Sequence, residues 1–254
     1  MRGLQGKVAV VTGGAQGLGL AICRRLSEAG CRVWMLDIVA EGREIANDME
    51  RETQVPVCFE QVDIRDEDRL RQVFKAIAGT HTSLDILVNN AAVFVFKSVD
   101  ATNEEWTRIL DVNIKGTSFV TKHAIPLLKQ SKHGSIINLS SVSGLLGQKN
   151  FATYNATKFA ILGLTKCWAI DFAADNIRVN SVCPGYIRTP AFENYCKVFN
   201  LDVEQENARI STLHILGRQG KPEEVANAVA FLASEEASFM TGSEIIVDGG
   251  YSAW

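Results

Sequence analysis

Short apolar runs alternate with longer segments of helical periodicity along almost the whole chain. Seven runs rich in β-branched residues predict strands at residues 7–11, 32–37, 56–63, 85–89, 134–140, 177–183 and 244–248. Between them, apolar positions recur every three or four residues and predict helices near residues 18–29, 40–52, 67–78, 103–129, 152–174 and 222–233. Several strands are continuously apolar, as in VAVV and SIIN, which is typical of parallel strands covered on both faces. The pattern therefore predicts an α/β fold: a doubly wound parallel sheet of about seven strands with helices on both faces.

One stretch, residues 190–220, interrupts this alternation. It has no strand pattern, its polarity is mixed, and it carries several aromatic residues. It follows the sixth predicted strand, at the sheet edge where open α/β sheets bind their ligands. Because long insertions at such an edge are often functional, we interpret it as a substrate lid within a single domain of residues 1–254. A structural connector is the alternative.

Composition and charge narrow the class of protein. The chain of 254 residues has a formal net charge of −3 and no run of Lys or Arg, so we expect no nucleic-acid partner. No apolar stretch approaches the roughly 20 residues that span a bilayer, and the N-terminal apolar run leads into a glycine-rich turn. The six cysteines form no C-x-x-C pair, and the four histidines have no ligand spacing. We therefore expect a cytoplasmic protein with reduced thiols, no membrane segment and no metal.

The first predicted strand ends in a glycine-rich turn, TGGAQGLG at residues 12–19, which leads directly into a helix. Glycine lets the chain reverse at Gly13, lets the backbone approach a pyrophosphate at Gly17 and permits close helix–strand packing at Gly19. The free N–H groups and the dipole of the helix attract phosphates. The turn predicts a dinucleotide site, to which we assign Gly13, Gln16, Gly17, Leu18 and Gly19. A turn with merely tolerant glycines is the alternative.

Acidic residues end the second and third predicted strands. A carboxylate at Asp37 is placed to accept both ribose hydroxyls of an adenosine and to repel a 2′-phosphate. Neither Gln16 nor Ile38 is basic, so the sequence favours NAD over NADP; a solvated strand-end Asp is the alternative. Asp63 and Ile64 are candidates for contacts to the adenine edge, with a turn-starting Asp as the alternative.

Candidate proton-transfer groups follow in the second half of the chain. In YNATK, a spacing of four residues puts Tyr154 and Lys158 on one helix face. An ammonium about 4 Å away lowers the pKa of a phenol by about three units at an effective dielectric near 20, which would make Tyr154 a base near neutral pH. Ser141, at the end of the fifth predicted strand, can donate to a substrate oxygen. Asn90, in the turn NNAA, is expected to hold backbone near the cofactor ribose. A solvated helix face is the alternative for the Tyr–Lys pair.

The ordered set of motifs resembles the short-chain dehydrogenase/reductase family. TGGAQGLG, Asp63, NNAA, Asn113, Ser141, YNATK and PGYIRT occur in the family's order across essentially the whole chain. The resemblance implies a Rossmann-type fold, a nicotinamide cofactor and a catalytic tetrad of Asn113, Ser141, Tyr154 and Lys158. In that tetrad, Asn113 holds a water bound to the lysine, and Lys158 also binds the nicotinamide ribose. Two departures, Ala92 for the usual Gly and NATK for the usual SASK, remove no reacting group.

The segment PGYIRT corresponds to the family's stretch beside the nicotinamide. The resemblance assigns Pro184, Gly185, Ile187 and Thr189 to the cofactor, with the backbone of Ile187 binding the carboxamide. It also implies a homotetramer assembled through the long helices. The last residue, Trp254, is an aromatic side chain that is costly to leave in water, so we expect it to pack at a subunit interface.

The expected substrate pocket mixes aromatic and polar side chains. We assign Ser141, Ser143, Gln148, Tyr154 and Tyr186 to the substrate. The other expected lining residues are Phe94, Phe96, Leu145, Phe192, Tyr195 and Phe199, with Lys149, Arg188 and Arg209 as candidate cations. For His214 we expect a packed or exposed histidine, with a position at the site, reached from the lid, as the alternative. An apolar or moderately polar alcohol fits such a pocket better than a polyphosphate.

Three functions remain open at this point. The first is an NAD-dependent oxidoreductase that moves hydride between nicotinamide and a secondary alcohol or ketone, with Tyr154 as general acid/base. The second is an NADPH-dependent 3-oxoacyl-carrier reductase, against which the missing basic residues beside Gly17 and Asp37 argue. The third is a nucleotide-binding sensor without turnover, against which the complete tetrad argues.

Overall fold

The continuously apolar runs form the strands of one parallel sheet. The structure, a computed structural model, describes residues 1–253. The strands are β1 (Val8–Thr12), β2 (Arg32–Asp37), β3 (Val57–Gln61), β4 (Ile86–Asn89), β5 (Gly134–Leu139), β6 (Ile177–Pro184) and β7 (Glu244–Val247). Their order in the sheet is β3-β2-β1-β4-β5-β6-β7. The predicted seven-stranded parallel sheet is confirmed, with every strand boundary within two residues of the expected one.

Helices cover both faces of this sheet. They are α1 (Gly17–Glu28), α2 (Gly42–Thr53), α3 (Glu67–Thr80), α4 (Asn103–Leu110), α5 (Thr117–Leu128), α6 (Ala152–Asp171), α7 (Pro190–Val198), α8 (Val203–Ser211) and α9 (Pro222–Ala233). On one face, α1, α2 and α9 pack against Ala9 and Val11 of β1. On the other, α3, α5 and α6 pack against Val8 and Val10. Successive strand residues thus enter opposite cores, as the period of two requires. None of the helices within residues 1–253 has the length and apolar character needed to cross a bilayer.

The chain reverses its direction of winding at β1. This strand pairs with β2 on one side and with β4 on the other, so the crossovers leave β1 in opposite directions. At such a point the loops after the two strands separate and leave a crevice at the carboxyl ends, which is where doubly wound sheets bind ligands. The glycine turn follows β1, and Asn90 follows β4. Both therefore lie at this crevice.

The helix predicted over residues 103–129 is interrupted, so the prediction of one continuous helix is wrong. Between α4 and α5 the backbone forms a π-helical turn, Asp111–Gly116. The side-chain amide of Asn113 accepts a hydrogen bond from the backbone N–H of Val93 and donates one to the carbonyl oxygen of Val93. The Thr117 hydroxyl donates to the carbonyl oxygen of Asn113 at 3.0 Å. Side-chain hydrogen bonds of this kind compete with the regular helical ladder and account for the interruption.

The stretch at residues 190–220 forms two helices, α7 and α8, and no strand. Phe192 and Cys196 of α7 pack against Ile210 of α8 in a small core of their own. An isolated parallel bridge joins Ile187 to Gly220 and brings the two ends of the segment together. The segment is therefore held at its base on the sheet edge, beside the crevice.

Candidate active site

The glycine turn has the backbone shape that the sequence predicts. Gly13 and Gly17 have φ angles of 64° and 54°, in the left-handed region that favours glycine. A Cβ atom on Gly19 would lie 1.9 Å from the carbonyl oxygen of Gly13, so only glycine fits there. Gln16 precedes α1 in extended conformation, and its side chain makes no capping hydrogen bond to the N–H groups of the first turn of α1. Uncapped N–H groups at a helix N-terminus fit the pyrophosphate of a dinucleotide.

Asn90 fastens the glycine turn to the end of β4. Its side-chain amide donates to the carbonyl oxygens of Thr12 and Gly13 at 2.9 and 3.0 Å. The Thr12 hydroxyl in turn accepts hydrogen bonds from the backbone N–H groups of Asn90 and Ala91, at 3.0 and 3.1 Å. Thr12 is not among the predicted site residues, although a polar residue at the end of an apolar strand is a signal for it. Asn90 and Thr12 together hold the ends of β1 and β4 in place at the base of the crevice.

Asp37 lies buried at the end of β2, next to the turn. Its carboxylate accepts hydrogen bonds from the backbone N–H groups of Ala15 at 2.9 Å and Val39 at 3.2 Å. A carboxylate has about four acceptor positions, so two remain for a ribose. The following residue, Ile38, is 64% exposed and brings no positive charge.

Asp63 and Ile64 follow β3 in a tight turn. Asp63 accepts from the backbone N–H of Arg65 at 2.9 Å and forms an ion pair with its guanidinium at 2.6 Å. This partner holds the pKa of the Asp63 carboxyl below its usual value. Ile64 is buried against Gly116. The turn-starting role that the sequence left open as an alternative for Asp63 is therefore present.

Tyr154 and Lys158 are both buried on the same face of α6. The Lys158 amine lies 5.5 Å from the centroid of the Tyr154 ring and donates to the carbonyl oxygen of Leu139 at 2.8 Å. The Ser140 hydroxyl donates to the carbonyl oxygen of Lys158 at 2.9 Å. These contacts join α6 to the end of β5 and hold the amine near the phenol.

Burial dominates the electrostatics of this pair. It raises the pKa of the Tyr154 phenol, and a hydrogen bond with Ser141 offsets only part of that effect. It lowers the pKa of the Lys158 amine to about 8. Without the additional charge of an oxidised nicotinamide, the expectation that Lys158 makes the phenol acidic is therefore wrong, because the helical spacing does not include the cost of removing both groups from water.

Ser141 follows β5, and Asn113 lies in the π-helical turn between α4 and α5. The Ser141 hydroxyl donates to the carbonyl oxygen of Pro184 at 3.5 Å and accepts from the backbone N–H of Ser143 at 3.1 Å. The Asn113 amide donates to the Thr157 hydroxyl at 3.2 Å, which itself donates to the carbonyl oxygen of Tyr154 at 2.8 Å. The π-helical turn is thus tied to the helix that carries the tyrosine.

A cavity of about 150 Å³ opens between these groups and α7. The residues expected at the cofactor or substrate that line it are Leu18, Ser141, Ser143, Gln148, Tyr154, Pro184, Gly185, Tyr186, Ile187 and Thr189. Of the other expected residues, Phe94, Phe96, Phe192 and Tyr195 also line it, whereas Leu145 and Phe199 do not. Four further residues line the cavity and are not among the predicted site residues, namely Ser140, Val142, Phe151 and Ala191.

The three candidate cations are not part of the cavity lining. Arg188 forms an ion pair with Glu204 at 2.7 Å, and Arg209 forms one with Glu206 at 2.6 Å. Both guanidinium groups therefore already have a carboxylate partner from α8. Lys149 is exposed beside the cavity. In this structure Arg188 and Arg209 are thus not available to a substrate, whereas Lys149 stays a prediction. His214 is a packed histidine, as predicted, with Nδ1 against the carbonyl oxygen of Ile210 at 2.9 Å. Trp254 lies outside the described residues.

Comparison with known proteins gives matches over nearly the whole chain. A family model described as enoyl-(acyl carrier protein) reductase matches residues 13–252. Cyclopentanol dehydrogenase of Comamonas testosteroni is 39% identical over 249 residues, 97% of each chain. A 3-oxoacyl-[acyl-carrier-protein] reductase of Thermotoga maritima is 36% identical over 97% of this chain and 98% of its own. An NADP-dependent (R)-specific alcohol dehydrogenase of Lentilactobacillus kefiri is 39% identical over 98% of each.

Solved structures agree with the observed fold. The ligand-free aldohexose dehydrogenase of Thermoplasma acidophilum superposes with a TM-score of 0.90 at 36% sequence identity. The superposition covers 99% of this chain and 96% of that chain.

Proposed function

Because this chain belongs to the short-chain dehydrogenase/reductase family, whose members here include dehydrogenases and reductases of alcohols and ketones, we propose that it interconverts a secondary alcohol and its ketone with NAD(H). One observation carries the proposal: Tyr154, Lys158 and Ser141 lie close together, next to the glycine turn and the uncapped N-terminus of α1. General acid–base groups and a dinucleotide cradle at one sheet edge are what hydride transfer to or from an alcohol requires.

The turn fits a dinucleotide by its shape and its free donors. Gly13, Gln16, Gly17, Leu18 and Gly19 would receive the pyrophosphate. Asp37 would accept the ribose hydroxyls of the adenosine, with Asp63 and Ile64 near the adenine. Pro184, Gly185, Ile187 and Thr189 would flank the nicotinamide, and Asn90 would hold the floor beneath it. NAD is favoured because Asp37 is followed by exposed Ile38 rather than by a basic residue.

Bound there, a nicotinamide cofactor would exchange the hydride and, in its oxidised form, add a positive charge that lowers the pKa of Tyr154. During oxidation, the Tyr154 oxygen takes the proton of the substrate hydroxyl, while the Ser141 hydroxyl donates to the same substrate oxygen. The Lys158 ammonium stabilises the phenolate, and Asn113 extends the proton path through a bound water. In the reduction of a ketone, Tyr154 returns the proton.

The second candidate function is reduction of a 3-oxoacyl thioester with NADPH. It is favoured by the Thermotoga maritima relative. Against it stand the acidic Asp37 and the absence of a basic residue at Gln16 or Ile38, since a 2′-phosphate needs a cation. A nucleotide-binding sensor without turnover is the remaining alternative.

Assembly is the other part of the proposal. Exposed apolar side chains on α4 and α6, namely Leu110, Phe159 and Ile170, support a homotetramer formed through these helices. The lid formed by α7 and α8 would close over the substrate, and Trp254 would pack at a subunit interface. The mass of the particle in solution, measured for the whole chain and for a chain without Trp254, tests the assembly.

The deciding experiment compares substrates and cofactors with the purified whole chain. NADH or NADPH absorbance is followed with cyclic and linear secondary alcohols, and in reverse with their ketones and with an acetoacetyl thioester. We expect oxidation of secondary alcohols with NAD and a much lower kcat/KM with NADP. Thioester reduction restricted to NADPH would establish the second candidate instead. NAD binding without turnover of any compound would favour the sensor.

A further inference from the structure

The side of the cavity next to Tyr154 is built of aromatic rings. The Phe94 and Phe96 ring centroids lie 5.3 and 5.6 Å from that of Tyr154. Phe96 in turn lies 4.3 Å from Phe151 and 5.8 Å from Tyr195 of the lid. Phe94 is 43% exposed, which is unfavourable unless a ligand covers its ring. This wall suits a flat or cyclic apolar skeleton directly attached to the reacting carbon.

A second wall of the same cavity is polar and has a fixed orientation. The Ser143 hydroxyl donates to Gln148 Oε1 at 2.5 Å, so the amide nitrogen of Gln148 points the other way, toward the Tyr186 hydroxyl at 3.4 Å. That contact is long for a hydrogen bond, and the amide nitrogen has two hydrogens. Burial raises the pKa of the Tyr186 phenol, which keeps its proton available for donation. The wall therefore offers N–H and O–H donors to a ligand oxygen.

The side chains that line the cavity carry no full charge of either sign, and the buried Lys158 amine lies behind the Tyr154 ring. Its lining, taken from the described residues 1–253, contains no Lys, Arg, His, Asp or Glu. The neighbouring lid cations Arg188 and Arg209 are paired with Glu204 and Glu206. A carboxylate or phosphate on the ligand would thus be desolvated without a partner, which is strongly unfavourable.

These three features assign a substrate class and a residue that selects it. We propose that the cavity takes neutral, ring-sized secondary alcohols that carry a second, uncharged oxygen, and that the side-chain amide of Gln148 binds this second oxygen. The inference rests on the proposed function and narrows it. Gln148 acts by contact with the substrate and takes no part in the proton transfer. Ser143 is a positioning residue, because it holds the amide with its N–H groups toward the cavity.

The test compares three classes of ring alcohol of similar size with NAD. They are cyclohexanol, the cyclohexanediols with hydroxyls at positions 1,2, 1,3 and 1,4, and 4-hydroxycyclohexanecarboxylate. For the wild type we expect the best diol to exceed cyclohexanol about tenfold in kcat/KM, and the carboxylate to fall about 100-fold below that diol. The spacing of the two hydroxyls in the preferred diol also indicates the distance between the reacting groups at Tyr154 and the amide of Gln148.

Two variants of Gln148 test whether its N–H donors, and not the size of its side chain, select the diol. Gln148→Leu removes the hydrogen-bonding groups, and Gln148→Glu keeps an acceptor for Ser143 but loses the N–H donors. Both should reduce the diol-to-cyclohexanol ratio of kcat/KM about tenfold, mainly through KM of the diol. The matched control is Gln130→Leu, an exposed glutamine that does not line the cavity, which should leave the ratio as in the wild type. Thermal unfolding of each variant verifies that it folds.

The outcomes distinguish this inference from the proposed function. Oxidation of all three classes with similar kcat/KM, or a diol preference that survives both Gln148 variants, would overturn the substrate class alone. Failure of every alcohol to react with either NAD or NADP would overturn the proposed function and this inference with it.

Discussion

The amine of Lys158 donates a hydrogen bond to the carbonyl oxygen of Leu139 at 2.8 Å. Leu139 is the last residue of β5, and Lys158 lies one turn along α6 from Tyr154. The strand that precedes Ser141 therefore also holds the amine of Lys158 in position. Since the amine is already bound to protein, its distance from the phenol is set by the sheet and not by a flexible side chain. The site is preorganised before any substrate arrives.

Replacing Tyr154 by Phe removes one hydroxyl and keeps the ring. Because Phe94 and Phe96 still have a ring to pack against, the fold should be retained. We expect kcat to fall at least ~100-fold, since a general acid/base is lost, while the dissociation constant of NAD changes little. Steady-state rates and calorimetric titration with NAD measure the two effects.

The matched control is Tyr251→Phe, which removes a hydroxyl from a ring that contacts Tyr186 but does not line the cavity. Its kcat should remain close to that of the wild type. More than a few per cent of the wild-type kcat in the Tyr154 variant would show that another group transfers the proton.

Replacing Lys158 by Met should change how stability depends on pH. Burial lowers the pKa of Lys158 from 10.5 to about 8, whereas the unfolded chain titrates near its ordinary value. Between these values the unfolded state binds more protons, so this lysine makes the wild type more stable as pH rises from about 8 to 10. The difference in unfolding free energy, wild type minus variant, should grow by on the order of 2 kcal/mol over that range.

Urea denaturation at several pH values measures this difference. The matched control is Lys166→Met, which removes a lysine from the same helix whose side chain is 57% exposed and so gives the effect of losing a surface lysine from α6. A Lys158 difference that does not change with pH would mean that the buried amine is not desolvated as described.

Asp37 and Ile38 should set the cofactor preference. In Asp37→Ser combined with Ile38→Arg, the carboxylate that repels a 2′-phosphate is replaced and a guanidinium is added. We expect the ratio of kcat/KM for NAD to that for NADP to fall at least ~10-fold. Ile38→Arg alone is the control and should shift the ratio less, because Asp37 remains. An unchanged ratio in the double variant would place cofactor selection elsewhere.

The strands and the glycine turn could be predicted because their signals are local. Buried parallel strands are continuously apolar, and the positive φ angles of Gly13 and Gly17 demand glycine. The interruption of the predicted helix at residues 103–129 could not be predicted, because it depends on contacts between Asn113 and Val93, which are twenty residues apart in the sequence. The same holds for Thr12, whose role depends on Asn90 of another strand end.

The electrostatic predictions failed for a related reason. Whether Arg188 is available to a substrate depends on Glu204 of α8, and the sequence does not place α8. Arg209 pairs with Glu206, three residues earlier on the same helix, which is a spacing that the sequence does contain. The pKa of Tyr154 depends on burial in three dimensions, which the helical spacing of Tyr154 and Lys158 leaves undefined. Motifs thus located the chemical groups, while their charge states required the fold.

The close approach at Gly19 gives the last prediction. In Gly19→Ala the new methyl group would meet the carbonyl oxygen of Gly13 at 1.9 Å and the Asn90 amide nitrogen at 2.6 Å, so the turn must move. We expect a loss of about 1–3 kcal/mol in unfolding free energy and a larger dissociation constant for NAD. Gly79→Ala in α3 is the control: nothing lies within 4 Å of its added Cβ, and alanine is the better helix former, so stability should stay level or rise by up to about 1 kcal/mol. Chemical denaturation and NAD titration of both variants measure these effects. Unchanged stability and NAD affinity in Gly19→Ala would mean that α1 does not pack against the turn as described.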